Sequence, residues 1–409
     1  MTLYLRLAWR NIWRHRRRTV IIVLAMGLSL ALMMIYDGMI DGFNNAIAGN
    51  AVRVLGGNIQ VHAAGYRAKV DSNPLLPLTD DMAVVNAALS QPDVVAAARR
   101  IQTGGLVSNH EGAFPMSIIG IEPEAEAPVS LIAEHIVDGR YVETTDEDSI
   151  LIGKGLADAL SIKVGDRVTM VGSDIHKQNR QRTMTVIGIY DVGIPSIEKG
   201  TSYISLTEAQ NLFGLRDQST EVQITLKKVG TESAVVAVLS PALPGYEVES
   251  WEKNYPELGS AINSKSAVMD IFSVVIVMIS GIGILNLLLM AIYERTREIG
   301  LLGAMGLKPR QIATTFILEG ALIGVVGVIA GIGMGLMTNL SLGQVGMDYS
   351  QFAGITEYTA LISGRIYSSL GVSKLFGRSI VVLVIAALAA LIPALIAARR
   401  EPSEALHHV

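Results

Sequence analysis

Four stretches of this chain carry almost no charge, and each is about as long as a membrane is thick. Thr19–Tyr36 (TVIIVLAMGLSLALMMIY) has 18 residues without a charge, Ile271–Tyr293 has 23 and Ser379–Ala398 has 20. Ile312–Met337 has 26 residues with a single acid, Glu319. A helix needs about 20 predominantly apolar residues to cross the hydrocarbon core, where the backbone must satisfy its own hydrogen bonds. Half of the chain is hydrophobic, only 17% is charged, and the mean hydropathy is +0.42. Four such runs are more than the interior of a soluble protein absorbs. The fold class expected is therefore an integral membrane α-helical protein with four transmembrane helices. The first run has a basic front and precedes Ala46-Ile47-Ala48, which fits a leader-cleavage triplet. Its length, and the Asp37 and Asp41 that lie before the triplet, favour a retained anchor.

Charge sets the orientation. Residues 1–18 hold six Arg and no acid, 294–311 hold Arg295, Arg297, Lys308 and Arg310, and the tail after Ala398 holds Arg399 and Arg400. With four spans these segments share one side, with twelve basic residues against the acids Glu294, Glu298, Glu401 and Glu404. Residues 41–267 lie opposite with 18 basic and 28 acidic residues, a net of −10. Arg and Lys mark the cytoplasmic side, so both termini are expected in the cytoplasm. The order that follows is a cytoplasmic amphipathic elbow helix at 1–18, spans at 19–40, 268–293, 312–337 and 379–398, and an extracytoplasmic domain at 41–267. A cytoplasmic loop at 294–311, an extracytoplasmic loop at 338–378 and a cytoplasmic tail at 399–409 complete it. In the elbow, Leu5, Ala8, Trp9 and Ile12 share one face and Arg6, Arg10, Arg14 and Arg17 the other, as suits an anionic leaflet. The Arg cluster abuts a span, so nucleic acid is a poor partner for it.

The segment 41–267 reads as mixed α/β. Strand patterns occur at Asn58–His62, Ser117–Ile121, Arg167–Val171, Thr183–Ile189 and Glu221–Leu226, and helical patterns at Asp80–Leu89, Gly155–Leu160, Thr207–Leu212 and Glu232–Leu239. Thr207 is expected as a helix N-cap, with Gly214 as the stop.

The chemistry of catalysis is largely missing. There is no Cys, no G-x-x-x-x-G-K-[ST], no H-E-x-x-H and no G-x-S-x-G, and only His407 and His408 of the seven His are close in sequence. The chain is expected to be a non-catalytic subunit that binds no cofactor or metal of its own.

Within the spans, Gly320, Gly324, Gly327, Gly331 and Gly335 recur at small-residue spacing, which lets helices approach closely, either in a partner protomer or in neighbouring spans. A membrane acid such as Glu319 costs about 2.5–3.5 kcal/mol on insertion scales and should face protein. It can serve a proton relay or an interhelical hydrogen bond, and a relay normally needs several such groups. Met33, Met34, Tyr36, Met39, Ile40, Phe43, Met269 and Phe272 gather at the outer ends of the first two spans, where adaptable Met side chains suit an acyl-chain wall.

Glu294–Ile312, ERTREIGLLGAMGLKPRQI, lies between two apolar flanks. Glu294, Arg295, Arg297 and Glu298 make one turn charged; Ile299, Leu302 and Met305 recur at helical spacing; Gly303 and Gly306 keep the segment thin; Pro309 suits the first turn of the next helix. A short helix with a charged shoulder and an apolar knob is shaped for a groove on a cytoplasmic partner.

This segment resembles the coupling segment of the FtsX/MacB/LolC–LolE superfamily of ABC-transporter membrane subunits. Ile392–Leu406 (IPALIAARREPSEAL) resembles the superfamily's closing motif, Ile136–Val168 its extracytoplasmic core, and LAWRNIWRHRRRT its elbow helix. The resemblance covers essentially the whole chain. It implies a MacB-type extracytoplasmic core domain, a second permease protomer, identical or related, and a separate cytoplasmic ABC ATPase dimer that holds ATP and Mg. It also implies mechanotransmission: closure of the ATPase moves the coupling helices, and the spans pass that motion outward. Lipoprotein-releasing subunits of the LolC/LolE type are the nearest in architecture, which implies lipoprotein or another amphiphile as cargo, with membrane lipids and a periplasmic adaptor as further partners. The alternatives are an FtsX-like regulator of an external enzyme and MacB-like efflux. Where the lipoprotein-releasing group carries a long proline-containing hook, this chain has the short polar Val171–Arg182, VGSDIHKQNRQR.

Overall fold

The computed structural model describes residues 6, 9, 10, 12–14, 16–72, 74–293, 301, 305–348 and 365–399. The chain divides into two compact units. One holds Met1–Asn44, Ile262–Met347 and Ile366–Val409; the other holds Asn45–Ala261 with Asp348–Arg365. Asn45–Ala261 falls within the segment 41–267 that was expected to form a domain.

The first unit is built on long helices. Helix α1 runs unbroken from Arg16 to Leu55. It far outlasts its apolar run, because no Pro or Gly pair interrupts it until Gly56 and Gly57, whose φ of +111° and +91° a side chain would resist. In the same way Ile271–Tyr293 lies within a helix spanning Pro256–Tyr293, Ile312–Met337 within Pro309–Val345, and Ser379–Ala398 within Leu375–Arg399. Pro309 opens its helix at the first position, as expected. Among the described residues, Thr19–Leu55 and Arg310–Val345 are long and apolar enough to cross a membrane, while Asp270–Gly283 and Leu375–Leu391 are shorter apolar stretches. Met26 and Leu30 of α1 are buried in one cluster with Ile323 and Val328 and with Val382, Ala386 and Ala390. Ile12 of the elbow joins this cluster, while Trp9, Trp13 and Arg14 are exposed.

The second unit is a ten-stranded sheet: β1 (Ile59–Ala63), β2 (Val94–Ser108), β3 (Ala113–Ile121), β4 (Ile136–Gly139), β5 (Ser149–Gly153), β6 (Arg167–Ser173), β7 (Asn179–Tyr190), β8 (Thr201–Ser205), β9 (Glu221–Leu226) and β10 (Tyr246–Ser250). The pairings β2–β3, β3–β8, β8–β5, β5–β7, β7–β6 and β6–β2 close a ring around Ile101, Val107, Ile118, Ile150, Met170 and Met184. Strands β9, β1 and β10 extend from β2 in that order, and β4 pairs with β7. One face of that extension packs Ile59, Val61, Val222 and Ile224 against α2 (Asp81–Leu89) and α5 (Glu232–Ala242). Between these helices in the chain lie α3 (Lys154–Ala159) and α4 (Leu206–Phe213); the long helices are α6 (Pro256–Tyr293), α7 (Pro309–Val345) and α8 (Leu375–Arg399).

All five expected strands and four expected helices of this unit are present. The cap of α4 is corrected. Ser205, not Thr207, is the N-cap, its Oγ accepting from the Glu208 amide at 3.1 Å, and Gly214 ends the helix at φ +74° as anticipated. α7 continues to Val345 and α8 starts at Leu375, so both helices run into the segment 338–378 expected as a loop. A two-residue ladder pairs Met347–Asp348 with Arg365–Ile366.

Candidate functional site

The polar residues that bound the four apolar runs meet one another. Asp37 follows the first run, Asp270 precedes the second, Asn339 follows the third, and Lys374 and Arg378 precede the fourth. Arg378 donates from Nε and Nη2 to the two carboxylate oxygens of Asp37, each at 3.1 Å. It also lies 3.7 Å from Asp270, which accepts from Lys374 Nζ at 2.6 Å. The buried Asn339 donates to the Met34 carbonyl at 2.9 Å and the Leu370 carbonyl at 3.1 Å, and accepts from Ser368 Oγ at 3.1 Å. Asp41 accepts from Ser373 Oγ at 2.9 Å and Ser369 Oγ at 3.3 Å. The backbone of 367–371 comes so close to α1 that a Cβ at Gly38 would strike the Ser369 carbonyl, and one at Gly42 the Tyr367 carbonyl. The result is a polar collar that ties four helices together at one end. Sequence reading missed it. Its one signal was that Asp37, Asp270 and Arg378 are the charges that stop the apolar runs.

A second polar assembly sits within the second unit. The face of β10-β1-β9-β2 opposite the apolar core carries Glu249, Gln60, His62, Glu221, Gln223 and Arg100, all buried. Tyr66 stacks on His62 with ring centres 3.8 Å apart; burial and the Glu221 carboxylate push its hydroxyl up to about 12. Arg67 reaches Glu249 at 3.5 Å, Asn254 at 3.2 Å and the Lys253 carbonyl at 2.6 Å. Arg100 forms a two-point pair with Glu126, and both are almost fully buried. Burial alone would lower the Arg100 value, but the Glu126 carboxylate holds it above the ordinary guanidinium range. The Leu55 carbonyl, at the C-terminus of α1, accepts from Arg100 at 3.5 Å and from the Tyr255 hydroxyl at 3.3 Å. Tyr255 immediately precedes α6. The end of α1 and the start of α6 are thereby fastened at one carbonyl, over a charged layer. Apolar contacts tolerate sliding, whereas a buried, paired charge tolerates few geometries.

The sequence-predicted residues are placed as follows. Glu294, Arg295, Arg297, Glu298, Ile299, Leu302 and Gly303 lie outside the described residues. Met305 and Gly306 form an exposed turn, the Met305 amide donating to the Leu301 carbonyl at 3.0 Å and Gly306 at φ +94°. Met305 is 66% exposed, so its side chain is open to a partner. The acyl-chain wall is corrected in part. Met33 and Met34 are buried and so offer no surface, and Met34 Sδ lies 2.8 Å from where a Cβ on Gly335 would stand, at a helix interface. Tyr36, Met39, Ile40 and Phe43 are half-buried and Phe272 is exposed; nothing is described of the Met269 side chain. The glycine stripe lies between α1, α7 and α8. A Cβ at Gly320 would stand 2.6 Å from Ala390 Cβ, at Gly324 3.2 Å from Ala386 Cβ, at Gly327 2.9 Å from Met26 Cβ, and at Gly331 2.8 Å from the Gly27 carbonyl. Glu319 is half-buried. In place of a hook, β6 and β7 turn tightly through Asp174, whose carboxylate accepts from the His176 and Gln178 amides at 2.9 Å and from Arg180 Nε at 3.0 Å. Among the described residues no His, Asp and Glu cluster is arranged to hold a metal.

Residues 19–242 match the MacB-like periplasmic core domain family, and residues 271–402 match the FtsX-like permease C-terminal family. The lipoprotein-releasing system transmembrane protein LolC of Xylella fastidiosa is 26% identical over 399 residues, covering 94% of this chain and 92% of that protein. The pyoverdine export ATP-binding/permease protein PvdT of Pseudomonas aeruginosa is 25% identical over 387 residues, covering 90% of this chain and 56% of that protein. The periplasmic region of MacB from Actinobacillus actinomycetemcomitans aligns over 52% of this chain and 97% of that structure, at 11% identity and a TM-score of 0.35. The chain therefore belongs to the family of permeases that join a MacB-like periplasmic core domain to an FtsX-like C-terminal region.

Proposed function

We propose that this chain is the membrane subunit of an ABC complex that works by mechanotransmission: a separate cytoplasmic ATPase dimer, holding ATP and Mg, moves the segment 294–311, and four spans pass that motion to the exterior domain. The observation that carries the reading is the collar. Charges flanking three of the apolar runs pair with one another, and Asn339, after the run in α7, bonds to the Met34 and Leu370 carbonyls, so the four runs end at one level, as the outer ends of four spans in a bilayer must. Both termini then face the cytoplasm of an inner membrane, as the Arg distribution requires. The charged seat beneath Leu55 gives the exterior domain a joint that carries movement of α1 and α6 without slipping. The cargo is an amphiphile, lipoprotein or another lipid-linked molecule, lifted from the outer leaflet by a dimer of such permeases; the LolC relative supports this class. Tyr36, Met39, Ile40, Phe43 and Phe272 remain as the surface where acyl chains lie.

The test is co-purification with the cognate ATPase and ATP turnover in nanodiscs. Glu298→Arg and Met305→Asp should each abolish ATPase retention while leaving membrane insertion and the fluorescence of the buried Trp251 unchanged. Full retention and full coupled turnover in both variants would reduce the segment to an ordinary loop. Recovery of a soluble external enzyme in place of lipid-linked cargo would move the chain to a regulatory role.

A further inference from the structure

The exterior unit holds a groove of about 510 Å³ that plays no part in the collar or in the joint at Leu55. Its cationic lining is Arg53 from the last turn of α1, Lys227 just after β9, and Arg365 from the short ladder strand. Asn45 and Asn50 add amides, and Val95, Val129 and Val229 add apolar surface. Among the described residues no carboxylate lines it. That composition runs against its setting, since 41–267 carries 28 acids against 18 bases. A recess lined by one sign of charge and backed by apolar walls concentrates the opposite charge.

Arg53 and Lys227 are held in place with donors to spare. Arg53 donates from Nε to the Val129 carbonyl at 3.2 Å and pairs through Nη2 with Glu134, whose side chain is half exposed. Two bonds leave three of the five guanidinium donors. Lys227 Nζ donates to the Pro92 carbonyl at 2.6 Å, which leaves two of its three donors.

We infer that this groove takes the anionic head group of a membrane amphiphile, with phosphoryl or carboxylate oxygens against Arg53, Lys227 and Arg365 and the adjoining apolar part against Val95, Val129 and Val229. The inference rests on the proposed reading of α1 as a span. Asn45 follows the span end at Ile40 by five residues on the same helix, about 8 Å of rise. The apolar share of the lining favours a lipid head over a free anion.

The experiment uses the full chain in nanodiscs of phosphatidylcholine, alone or mixed with phosphatidylglycerol, with photoreactive benzoylphenylalanine in place of Val229. Phosphatidylglycerol should be captured in preference to phosphatidylcholine. Lys227→Glu combined with Arg365→Glu should lower capture about tenfold or more, because like charge then faces the head group. Arg53→Gln should lower it less, and Glu134→Gln should raise it by releasing Arg53 into the groove. The single variants keep the test decisive if the double one misfolds. Equal capture of the two lipids, or capture unmoved by charge reversal, overturns the inference. Glycerol phosphate that stays bound when phosphatidylglycerol is added in excess overturns it too, by assigning the groove to a soluble anion. The readout needs neither ATPase nor cargo release, so failed ATPase docking leaves it standing. Labelling of His110→Cys by an impermeant thiol reagent on the outer side checks the topology separately.

Discussion

Asp37 on α1 and Arg378 on α8 are joined by two hydrogen bonds of 3.1 Å, and their side chains are only 5% and 14% exposed. A pair this buried specifies geometry more than it adds stability, and breaking it strands a charge. Arg378→Met should destabilise the helix bundle by about 3–5 kcal/mol, while the exchange Asp37→Arg with Arg378→Asp should recover part of the loss. Thermal unfolding in detergent, followed by cysteine crosslinking between α1 and α8, reads both. If Arg378→Met melts with the native protein, the collar is not what holds these helices in register.

Gly331 and Gly333 lie on different faces of α7 and should behave in opposite ways. A Cβ at Gly331 would stand 2.8 Å from both the Gly27 carbonyl and Leu30 Cβ, whereas nothing lies within 4 Å of one at Gly333. Gly331→Leu forces α1 and α7 apart and should cost about 1–3 kcal/mol or more; Gly333→Leu should leave the thermal midpoint near that of the native chain. Equal effects at the two positions would count against close packing through the glycine stripe.

The joint under Leu55 allows stability and transmission to be separated. Tyr255→Phe removes one hydrogen bond, about 0.5–1.5 kcal/mol, and should leave the second unit folded. It should nonetheless loosen the link between α1 and α6, seen as ATP turnover that no longer responds to cargo. Arg100→Met leaves Glu126 buried and unpaired and should cost about 3–5 kcal/mol, much of it recovered when Glu126→Met is added. Trp251 fluorescence during urea unfolding measures both. Full cargo-responsive turnover in Tyr255→Phe would remove the joint from the transmission path.

One acid pair predicts a pH dependence. Burial and the neighbouring Asp191 carboxylate raise Glu198 above the ordinary glutamate range, while hydrogen bonding from Lys154 lowers Asp191. Between the ordinary and the raised Glu198 value the folded chain binds more protons than the unfolded one, so stability falls as pH rises through that window. Asp191 acts in the opposite sense, its contribution being lost as pH falls through its lowered value. Glu198→Gln keeps an oxygen to accept from the Val192 and Gly193 amides, now at 3.1 and 2.8 Å. It should flatten the falling limb in a pH series of urea midpoints. A limb unchanged in the variant would assign it to another group.

Several elements were legible in the sequence because local chemistry decides them. Strand alternation marked β1, β6, β7 and β9, Gly214 marked the end of α4, and Pro309 the start of α7. The strand β2 was not legible. Its run Ala96-Ala97-Ala98 and the adjacent Arg99 and Arg100 read against a buried strand. Only pairing on both sides shows that the two Arg point to opposite faces, one toward Glu122 and the other toward Glu126. The length and charge asymmetry of the apolar runs depend on composition alone, so the membrane-type helices, the mixed α/β domain and the family resemblance could all be read from the chain before any fold was known. Which side of each helix faces protein could not. In lipid, an apolar side chain is equally at ease against acyl tails or another helix, and so Met33 and Met34 read as surface although they are core. Packing in three dimensions settled that, along with the pairing of Asp37 with Arg378 and the fastening of Leu55 by Arg100 and Tyr255, because each depends on groups hundreds of residues or a whole sheet apart being brought within hydrogen-bonding distance.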